Sequence, residues 1–365
     1  MGDTATYFSF DSEKRLFDSH TLEIPALRRG ELLVKILFTT ICRSDLNTFL
    51  GKRKEKNPTI LGHEAVGIVV DLAETDGLVD LRGNVLKPGD RITWAIYASD
   101  PMDPLSVKGI PQKARGLFKY GHEQISHDNQ LHGGLSTHII LRKNTPVVVL
   151  SDSLSLYSSA LINCAVATVA GALRLSGAIE NKIVVINGAG MLGLVACAMA
   201  RSGKATSVIA IDHDKDRLER AVSFGASLQW LPEEETSNFI SLETGQSVNI
   251  SADIVIDFTG NPTAMASSLE LLGIGGVAVW VGATYPQPAV QLNAEKLVRN
   301  LWTIRGLHNY NQDDLLSAVR FMESYDCLYR FDELINRDCS IANITDGFSQ
   351  AVAQNHFRVG FEFIQ

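Results

Sequence analysis

Residues 182–193, KIVVINGAGMLG, carry three glycines in the spacing G-x-G-x-x-G. An apolar run precedes the first glycine and an amphipathic helical pattern follows, which is the context in which this motif binds a dinucleotide. We expect Gly188 to permit the tight turn and Gly190 to let the backbone approach a pyrophosphate. Gly193 would let the helix pack closely on the strand. This stretch therefore predicts a Rossmann domain, with a glycine-rich helix start lacking any ligand as the alternative.

The end of the next predicted strand indicates which dinucleotide is bound. That strand, SVIAID, ends at Asp212, 24 residues after Gly188. An acid there can accept both hydroxyls of the NAD ribose and would repel the 2′-phosphate of NADP. Met191 and Leu192 begin the predicted helix, where free backbone N–H groups face the phosphates. We therefore expect NAD as the cofactor, with these residues among its ligands.

The patterns before and after the glycine motif differ and divide the chain. Residues 1–155 hold short β-like runs separated by Gly, Pro and Asp turns, which indicates an antiparallel, barrel-like domain. Residues 156–307 alternate apolar strands with helices, which is typical of a doubly wound parallel sheet covered on both faces. Residues 308–365 hold two helical runs and a final strand. The predicted fold class is α/β with a second, β-rich domain.

Composition narrows the class of protein. At 365 residues the chain is too long for one compact core, so two domains are expected. The net charge of -8 gives no basic surface for nucleic acid. No run of 18 apolar residues and no signal-peptide pattern is present, so we expect a cytoplasmic protein without a membrane partner. Five scattered cysteines favour reduced thiols used in metal binding or catalysis over a disulfide framework.

A second stretch, NPTILGHEAVGIVV at residues 57–70, places His63 and Glu64 side by side in an apolar run. Burying an unpaired carboxylate is costly, and a buried histidine also needs a partner. The two cannot pair with each other in a strand, because successive side chains point to opposite faces. Either this stretch is a surface turn, or other parts of the chain supply the partner.

Five motifs occur in the order found in zinc-dependent medium-chain alcohol dehydrogenases: CRSDL at 42–46, LGHEAVG at 61–67, LKPGDRI at 86–92, GGLSTHIIL at 133–141 and GAGMLGL at 188–194. The chain resembles that family over essentially its whole length. The resemblance implies a GroES-like catalytic domain interrupted by a Rossmann domain, and a small alcohol or aldehyde as substrate. PQKARGLFKYGHE and NCAVATVAGALR look most like a branch associated with phosphonate metabolism.

The resemblance implies four ligands of a single catalytic zinc: Cys42, His63, Cys164 and, as a fourth or exchangeable ligand, Glu64. Two thiolates, an imidazole and a carboxylate suit a tetrahedral zinc site, and an exchangeable position admits a substrate oxygen. Zinc would then be the partner of both His63 and Glu64, with Gly62 interrupting the strand so that both side chains reach the metal. Buried inert thiols are the alternative for the cysteines.

The resemblance also implies roles for neighbouring residues. Ser44 would be the proton-relay hydroxyl, with a helix N-cap as the alternative, and Asp45 would orient the His63 ring. Arg43 and Arg358 match the positions of pyrophosphate-binding arginines, and bidentate phosphate contacts favour arginine. Ordinary surface salt bridges are the alternative for both arginines.

The sequence departs from the family pattern at two places. Many relatives carry a histidine three residues after the serine, where this chain has Asn47, so the relay must end in water, the cofactor ribose or another group. Relatives often hold a structural zinc with four cysteines in the lobe that corresponds to residues 97–122, and this lobe has none. We therefore expect no structural zinc. Histidines at 122, 127, 132 and 138 fit no usual ligand spacing.

The expected function is hydride transfer between NAD(H) and a small alcohol or aldehyde at the zinc. The enzymatic alternative is a polyol or amino-alcohol dehydrogenase, and the other is a catalytically silent NADPH-binding relative. Lys119, Arg305 and His308 lie in segments flanking the expected cleft and suggest an anionic group on the substrate, with solvated or cofactor-side charges as the alternative. The apolar strands VAVWVGA and WTIRGLH suggest a homodimer or homotetramer, because an exposed edge would otherwise aggregate.

Overall fold

The computed structural model of the chain describes residues 3–73, 77–232, 239–241, 247–248, 250–353 and 356–363. The chain divides into two compact units, the first made of residues 1–167 and 311–365 and the second of residues 168–310. The sequence pattern places these boundaries earlier, at 155/156 and 307/308. The difference arises because the helical turns that follow residue 155 pack on β-strands of the first unit.

The strands, in chain order, are β1 (Thr4–Asp11), β2 (Leu16–Glu23), β3 (Leu32–Thr40), β4 (Glu64–Leu72), β5 (Arg91–Trp94), β6 (Tyr97–Ala98), β7 (Phe118–Lys119), β8 (His138–Leu141), β9 (Val147–Val149), β10 (Ile183–Asn187), β11 (Ser207–Ile211), β12 (Leu228–Trp230), β13 (Phe239–Ser241), β14 (Ser247–Val248), β15 (Ala252–Asp257), β16 (Leu272–Trp280), β17 (Thr303–Gly306), β18 (Ile335–Asn336) and β19 (Arg358–Glu362).

The α-helices are α1 (Arg43–Phe49), α2 (Pro104–Val107), α3 (Leu156–Ser159), α4 (Ala167–Ser176), α5 (Met191–Ser202), α6 (Lys215–Ser223), α7 (Pro262–Leu269), α8 (Ala294–Arg299), α9 (Gln312–Tyr329) and α10 (Ile344–Ala353). Short 3-10 turns lie at Pro111–Lys113, Phe331–Leu334 and Ile341–Asn343, and a π-helical turn at Ile162–Val166 lies between α3 and α4.

The main sheet of the first unit has the strand order β18-β19-β3-β4-β5-β9, and β8 also pairs with β3. Its central pair, β3 and β4, is antiparallel, with Thr40 opposite Glu64. The inward-facing apolar residues of both strands are almost fully buried, as the pattern GELLVKILFTT predicts. This register brings the residues just after β3 next to those just before β4, where Cys42 and His63 stand.

The second unit is built on an eight-stranded sheet of order β14-β13-β12-β11-β10-β15-β16-β17. Six neighbouring strands run parallel, in the order β12, β11, β10, β15, β16 and β17. Strands β13 and β14 add antiparallel pairs at the β12 edge. The strand order reverses at β10, which is flanked by β11 and β15. Ligands of such sheets bind outside the carboxyl ends of the strands at that reversal. The predicted α/β fold class with a doubly wound parallel sheet is confirmed.

The helical stretch Leu156–Ser176 has the length and apolar composition of a membrane-spanning helix. In the folded chain 78% of its apolar window is buried. A largely buried apolar helix is what the core of a globular protein contains, so length and composition alone do not make this stretch a membrane segment.

Candidate metal centre and cofactor site

Three residues of the first unit bring their sulfur and nitrogen ligand atoms within 4.8 Å of one another: Cys42, His63 and Cys164. Cys42 is the N-cap of α1, His63 directly precedes β4, and Cys164 lies in the π-helical turn. Turns of the π type are frequent at functional sites because they re-aim one side chain of a helix. The Sγ atoms of the two cysteines are 3.7 Å apart. Two sulfurs bound to one tetrahedral zinc at ~2.3 Å would lie about 3.8 Å apart. The donor set therefore fits zinc in both chemistry and spacing.

The closeness of these groups makes their proton affinities unequal. The hydrogen bond from the Cys164 thiol lowers the pKa of Cys42 well below its usual range, although burial opposes this, and Arg358 adds to the lowering. The same contact raises the pKa of Cys164. Burial disfavours the His63 imidazolium, but Asp45 and Cys42 outweigh burial and raise the pKa of His63 to about 10. The proton affinities of these three side chains thus depend on one another. A bound cation would release protons from them, because metal ligands bind in their deprotonated forms.

Asp45 ties two of the ligand-bearing segments together. Its Oδ2 accepts a hydrogen bond from the backbone N–H of Cys42 at 2.9 Å, which closes a capping box at the start of α1. Its Oδ1 accepts from the N–H of Gly62 at 3.3 Å and lies 3.3 Å from His63 Nδ1. The contact with Nδ1 has ion-pair distance without hydrogen-bond alignment. The structure places Asp45 where an acid that orients a ligand histidine would stand.

Ser44 stands beside the same ring, with its Oγ 3.4 Å from His63 Nε2. The N-cap of α1 is Cys42, so the alternative in which Ser44 caps the helix is wrong. Asn47 lies one turn further along α1 and is buried. Its amide does not ionise near neutral pH, so Asn47 cannot pass a proton on. Another group has to complete the proton relay from Ser44.

Glu64 has a guanidinium as its partner in this structure. Its Oε2 lies 2.5 Å from Arg358 Nε and accepts from Thr40 Oγ1 at 2.7 Å. Its Oε1 accepts from Arg358 at 3.3 Å and from the N–H of Ala165 at 3.3 Å. The burial of Glu64 is therefore compensated by a guanidinium. Glu64 is not among the three grouped ligands, and its role as an exchangeable ligand stays a prediction. Gly62, with φ +87°, breaks the extended backbone before His63, as predicted. Glu64 is the first residue of β4, and its side chain points to the face opposite that of His63.

Arg358, the predicted pyrophosphate ligand, contacts the Glu64 carboxylate through two of its nitrogens. Its side chain is 4% exposed, and its remaining NH1 group donates to the carbonyl oxygen of Phe357 at 2.8 Å. Although burial disfavours the charge, Glu64 outweighs burial and raises the pKa of Arg358. The structure thus pairs Arg358 with Glu64 inside the first unit, and its phosphate role stays a prediction. Arg43, by contrast, is exposed at the first position of α1, and its phosphate role stays a prediction.

A second polar group lies against the ligand histidine and was missed by motif comparison. The His122 ring packs 5.1 Å from the His63 ring, and its Nδ1 is 3.0 Å from Glu55 Oε1. Arg53 Nε lies 2.6 Å from the same oxygen. A side chain at Gly121 would come within 2.6 Å of the Gly62 carbonyl oxygen, so only glycine lets these segments touch. The sequence KYGH at 119–122 was the available signal, because a glycine between polar residues marks a close approach.

The four histidines of positions 122 to 138 do not converge. His127 is exposed, and His138 Nδ1 contacts Thr137 Oγ1 at 3.0 Å. His132 is buried, with neither ring nitrogen hydrogen-bonded, and burial lowers its pKa to about 4. Within the described ranges, the residues that group as candidate metal ligands are Cys42 and its two partners alone.

The three glycines of the second unit serve three different needs. Gly188 adopts φ +97°, which L side chains rarely do. A Cβ on Gly193 would lie 1.9 Å from the Gly188 carbonyl oxygen, so helix α5 can pack on the turn only without a side chain. A Cβ on Gly190 would meet nothing within 4 Å, which leaves open space at the N-cap of α5. Open space beside the free N–H groups of Met191 and Leu192 is what a pyrophosphate requires.

Asp212 lies directly after β11 and holds the glycine loop. Its Oδ2 accepts from the N–H of Ala189 at 2.7 Å, and its Oδ1 accepts from the N–H of Asp214 at 3.1 Å. The carboxylate lines a cavity of about 390 Å³ together with Asn187, Trp230 and Thr259. A concave cavity of this size with a few polar groups is typical of a small-molecule or cofactor site.

Two family models match the chain. The alcohol dehydrogenase GroES-like domain matches residues 28–151, and the zinc-binding dehydrogenase matches residues 192–324. Among solved structures, an alcohol dehydrogenase of Thermotoga maritima has a TM-score of 0.90 at 27% identity, covering 99% of this chain and 100% of that one.

Two curated relatives are similar over most of their length. L-threonine 3-dehydrogenase of Caldanaerobacter subterraneus is 26% identical over 315 residues, covering 82% of this chain and 81% of the relative. D-xylulose reductase A of Aspergillus oryzae is 26% identical over 322 residues, with the same two coverages. These matches span both structural units.

Proposed function

Because this chain belongs to the superfamily of zinc-dependent medium-chain alcohol dehydrogenases, we propose that it transfers a hydride between NAD(H) and a small alcohol or aldehyde. The observation that carries the proposal is the set of three ligand atoms within 4.8 Å in the first unit. A chain that had lost catalysis would not need to keep two thiols and an imidazole at zinc spacing. The non-catalytic alternative is therefore disfavoured.

The residues of the first unit would bind the metal, position its histidine ligand and accept a proton. Cys42, His63 and Cys164 would hold one zinc ion, which supplies Lewis acidity towards a substrate oxygen. Asp45 keeps the His63 ring in position through its carboxylate. Ser44 presents its hydroxyl next to the ring and is the group that would accept the alcohol proton.

For the cofactor, we propose NAD over NADP. Asp212 places a carboxylate on the cavity wall at the end of β11, where it can accept the ribose hydroxyls. A 2′-phosphate at that place would meet the same carboxylate and be repelled. The ratio of kcat/KM for the two cofactors tests this proposal, and a preference for NADP would overturn it.

The function itself is tested by turnover and metal content together. Zinc-loaded protein is incubated with NAD and a panel of primary alcohols, and reduced cofactor is followed by its absorbance. We expect turnover with one zinc per chain, and none after the zinc is removed by a chelator. Full activity in zinc-free protein would refute the mechanism.

A second candidate within the same reaction class is a polyol or amino-alcohol dehydrogenase. The similarity to a D-xylulose reductase and an L-threonine 3-dehydrogenase favours it. Xylitol, sorbitol and threonine belong in the same panel, and turnover of one of them above simple alcohols would select this candidate. The finer proposal of a phosphonate-bearing alcohol rests on the sequence resemblance, and hydroxyalkylphosphonates in the panel test it.

We also propose that the protein is a cytoplasmic homodimer or homotetramer. Strand β17 ends the sheet of the second unit, and apolar side chains near that edge are exposed: Ile274 by 81%, Val298 by 68% and Leu301 by 70%. An unpaired apolar edge is usually covered by another strand. Light scattering at micromolar concentration gives the mass, and a monomer would contradict the proposal.

A further inference from the structure

Lys119, the last residue of β7, has a partly buried side chain that is not neutralised. Its ammonium makes no hydrogen bond or ion pair with any side chain of the described ranges, and only its backbone is bonded, the N–H lying 3.4 Å from Glu123 Oε1. Burial lowers the pKa of Lys119 to about 8, and Arg53 adds to the lowering. Burying a charge without a partner is unfavourable, so such a group is usually kept for a ligand.

The carboxylates nearest to Lys119 are already used by other groups. Glu55 lies 2.6 Å from Arg53 and 3.0 Å from His122 Nδ1. Glu123 is ion-paired with Lys56. Within the described residues, both of these carboxylates are thus engaged by other side chains, and Lys119 is left without a carboxylate partner.

The segment that carries Lys119 is fixed against the metal centre. Gly121 packs on the Gly62 carbonyl oxygen and the Cβ of His63, and the His122 ring lies on the His63 ring. The carbonyl oxygen of Lys119 accepts from the N–H of His122 at 3.3 Å. Lys119 therefore lies two and three residues before Gly121 and His122, which touch the segment of His63. A substrate whose oxygen is bound at the triad would lie beside the segment that carries this cation.

We propose that Lys119 binds an oxyanion carried by the substrate, so that the preferred substrates are small alcohols or aldehydes with a carboxylate, sulfonate or phosphonate group. This inference rests on the proposed dehydrogenase function and names its substrate class. Arg305 does not compete for the role, because its NH1 donates to the Leu175 carbonyl oxygen at 2.6 Å within the second unit. His122 has its Nδ1 engaged by Glu55 at 3.0 Å.

The test compares kcat/KM for charged and uncharged alcohols of similar length. 3-Hydroxypropionate and 2-hydroxyethylphosphonate are the charged probes, and 1-butanol is the uncharged one. Zinc-loaded wild type is measured beside Lys119→Met, Lys119→Arg and the control Lys108→Met, whose exposed lysine lies in the same lobe. We expect the charged-to-uncharged ratio to fall on the order of 100-fold in Lys119→Met, mainly through KM. Lys119→Arg should retain most of the ratio because it keeps the charge, and Lys108→Met should match wild type.

Binding without turnover separates this inference from the proposed function. The Kd of methylphosphonate is measured by calorimetry for the same four proteins, and the thermal midpoint shows that each is folded. If no alcohol is turned over, the dehydrogenase proposal fails, while weaker methylphosphonate binding by Lys119→Met still supports the anion subsite. Should 1-butanol or xylitol be turned over as well as the charged probes, or should Lys119→Met keep the wild-type ratio and Kd, the subsite is refuted. Lys119→Gln replaces Lys119→Met if the latter does not fold.

Discussion

Replacing Arg358 by methionine should leave Glu64 buried and without its counter-ion. The carboxylate is fully buried, the guanidinium is 4% exposed, and two of its nitrogens contact the carboxylate at 2.5 and 3.3 Å. Removing one partner of a buried ion pair costs about 3–5 kcal/mol. With an unfolding entropy of about 2.1 cal/mol/K per residue over the chain, this corresponds to a loss of about 4–7 °C in the thermal midpoint.

The assay is a double-mutant cycle read by calorimetry. Arg358→Met, Glu64→Gln and the double variant are compared with wild type, each with zinc and after chelation. We expect the double variant to recover most of the loss, because neither charge is then left buried alone. A loss below about 1 °C in Arg358→Met, or a Glu64→Gln variant that loses zinc while Arg358→Met keeps it, would refute this reasoning.

Three other predictions concern the metal, the cofactor and acid stability. Cys42→Ser should remove zinc and turnover while NAD binding, followed by fluorescence, stays close to wild type; two zincs per wild-type chain would contradict the cysteine-free lobe. Asp212→Gly should shift the NAD-to-NADP ratio of kcat/KM towards NADP by on the order of 100-fold or more, and an unchanged ratio would count against its ribose role. His132, with a pKa of about 4 in the fold against 6.5 unfolded, binds its proton more readily in the unfolded chain. Stability should therefore be lost as the pH falls from 6.5 to 4, by roughly 3 kcal/mol, and His132→Phe should reduce that loss while the exposed His127→Gln should not.

The sequence anticipated the parts of the molecule that local pattern controls. Alternation of apolar residues and the glycine spacing gave the two kinds of sheet, the turn at Gly188 and the close approach at Gly193. Cys42, His63 and Cys164 could be named as ligands from the family resemblance, and the structure brings their ligand atoms together. The boundaries of the two units were missed by several residues, because a helical pattern does not say on which sheet the helix packs.

What the sequence by itself determined was the dinucleotide motif, whose spacing is set by strand and turn geometry, and, through the family resemblance, the residue types of a zinc site. Only the tertiary structure decided the partners of the buried charges. The sequence predicted that Glu64 is paired with the metal bound by its neighbour His63. In the structure its counter-ion is Arg358, 294 residues further along the chain. A side chain's partner is fixed by strand register and by the pleat that turns Glu64 away from His63, and neither the β3–β19 pairing nor the approach of Gly121 to Gly62 leaves a trace in local periodicity.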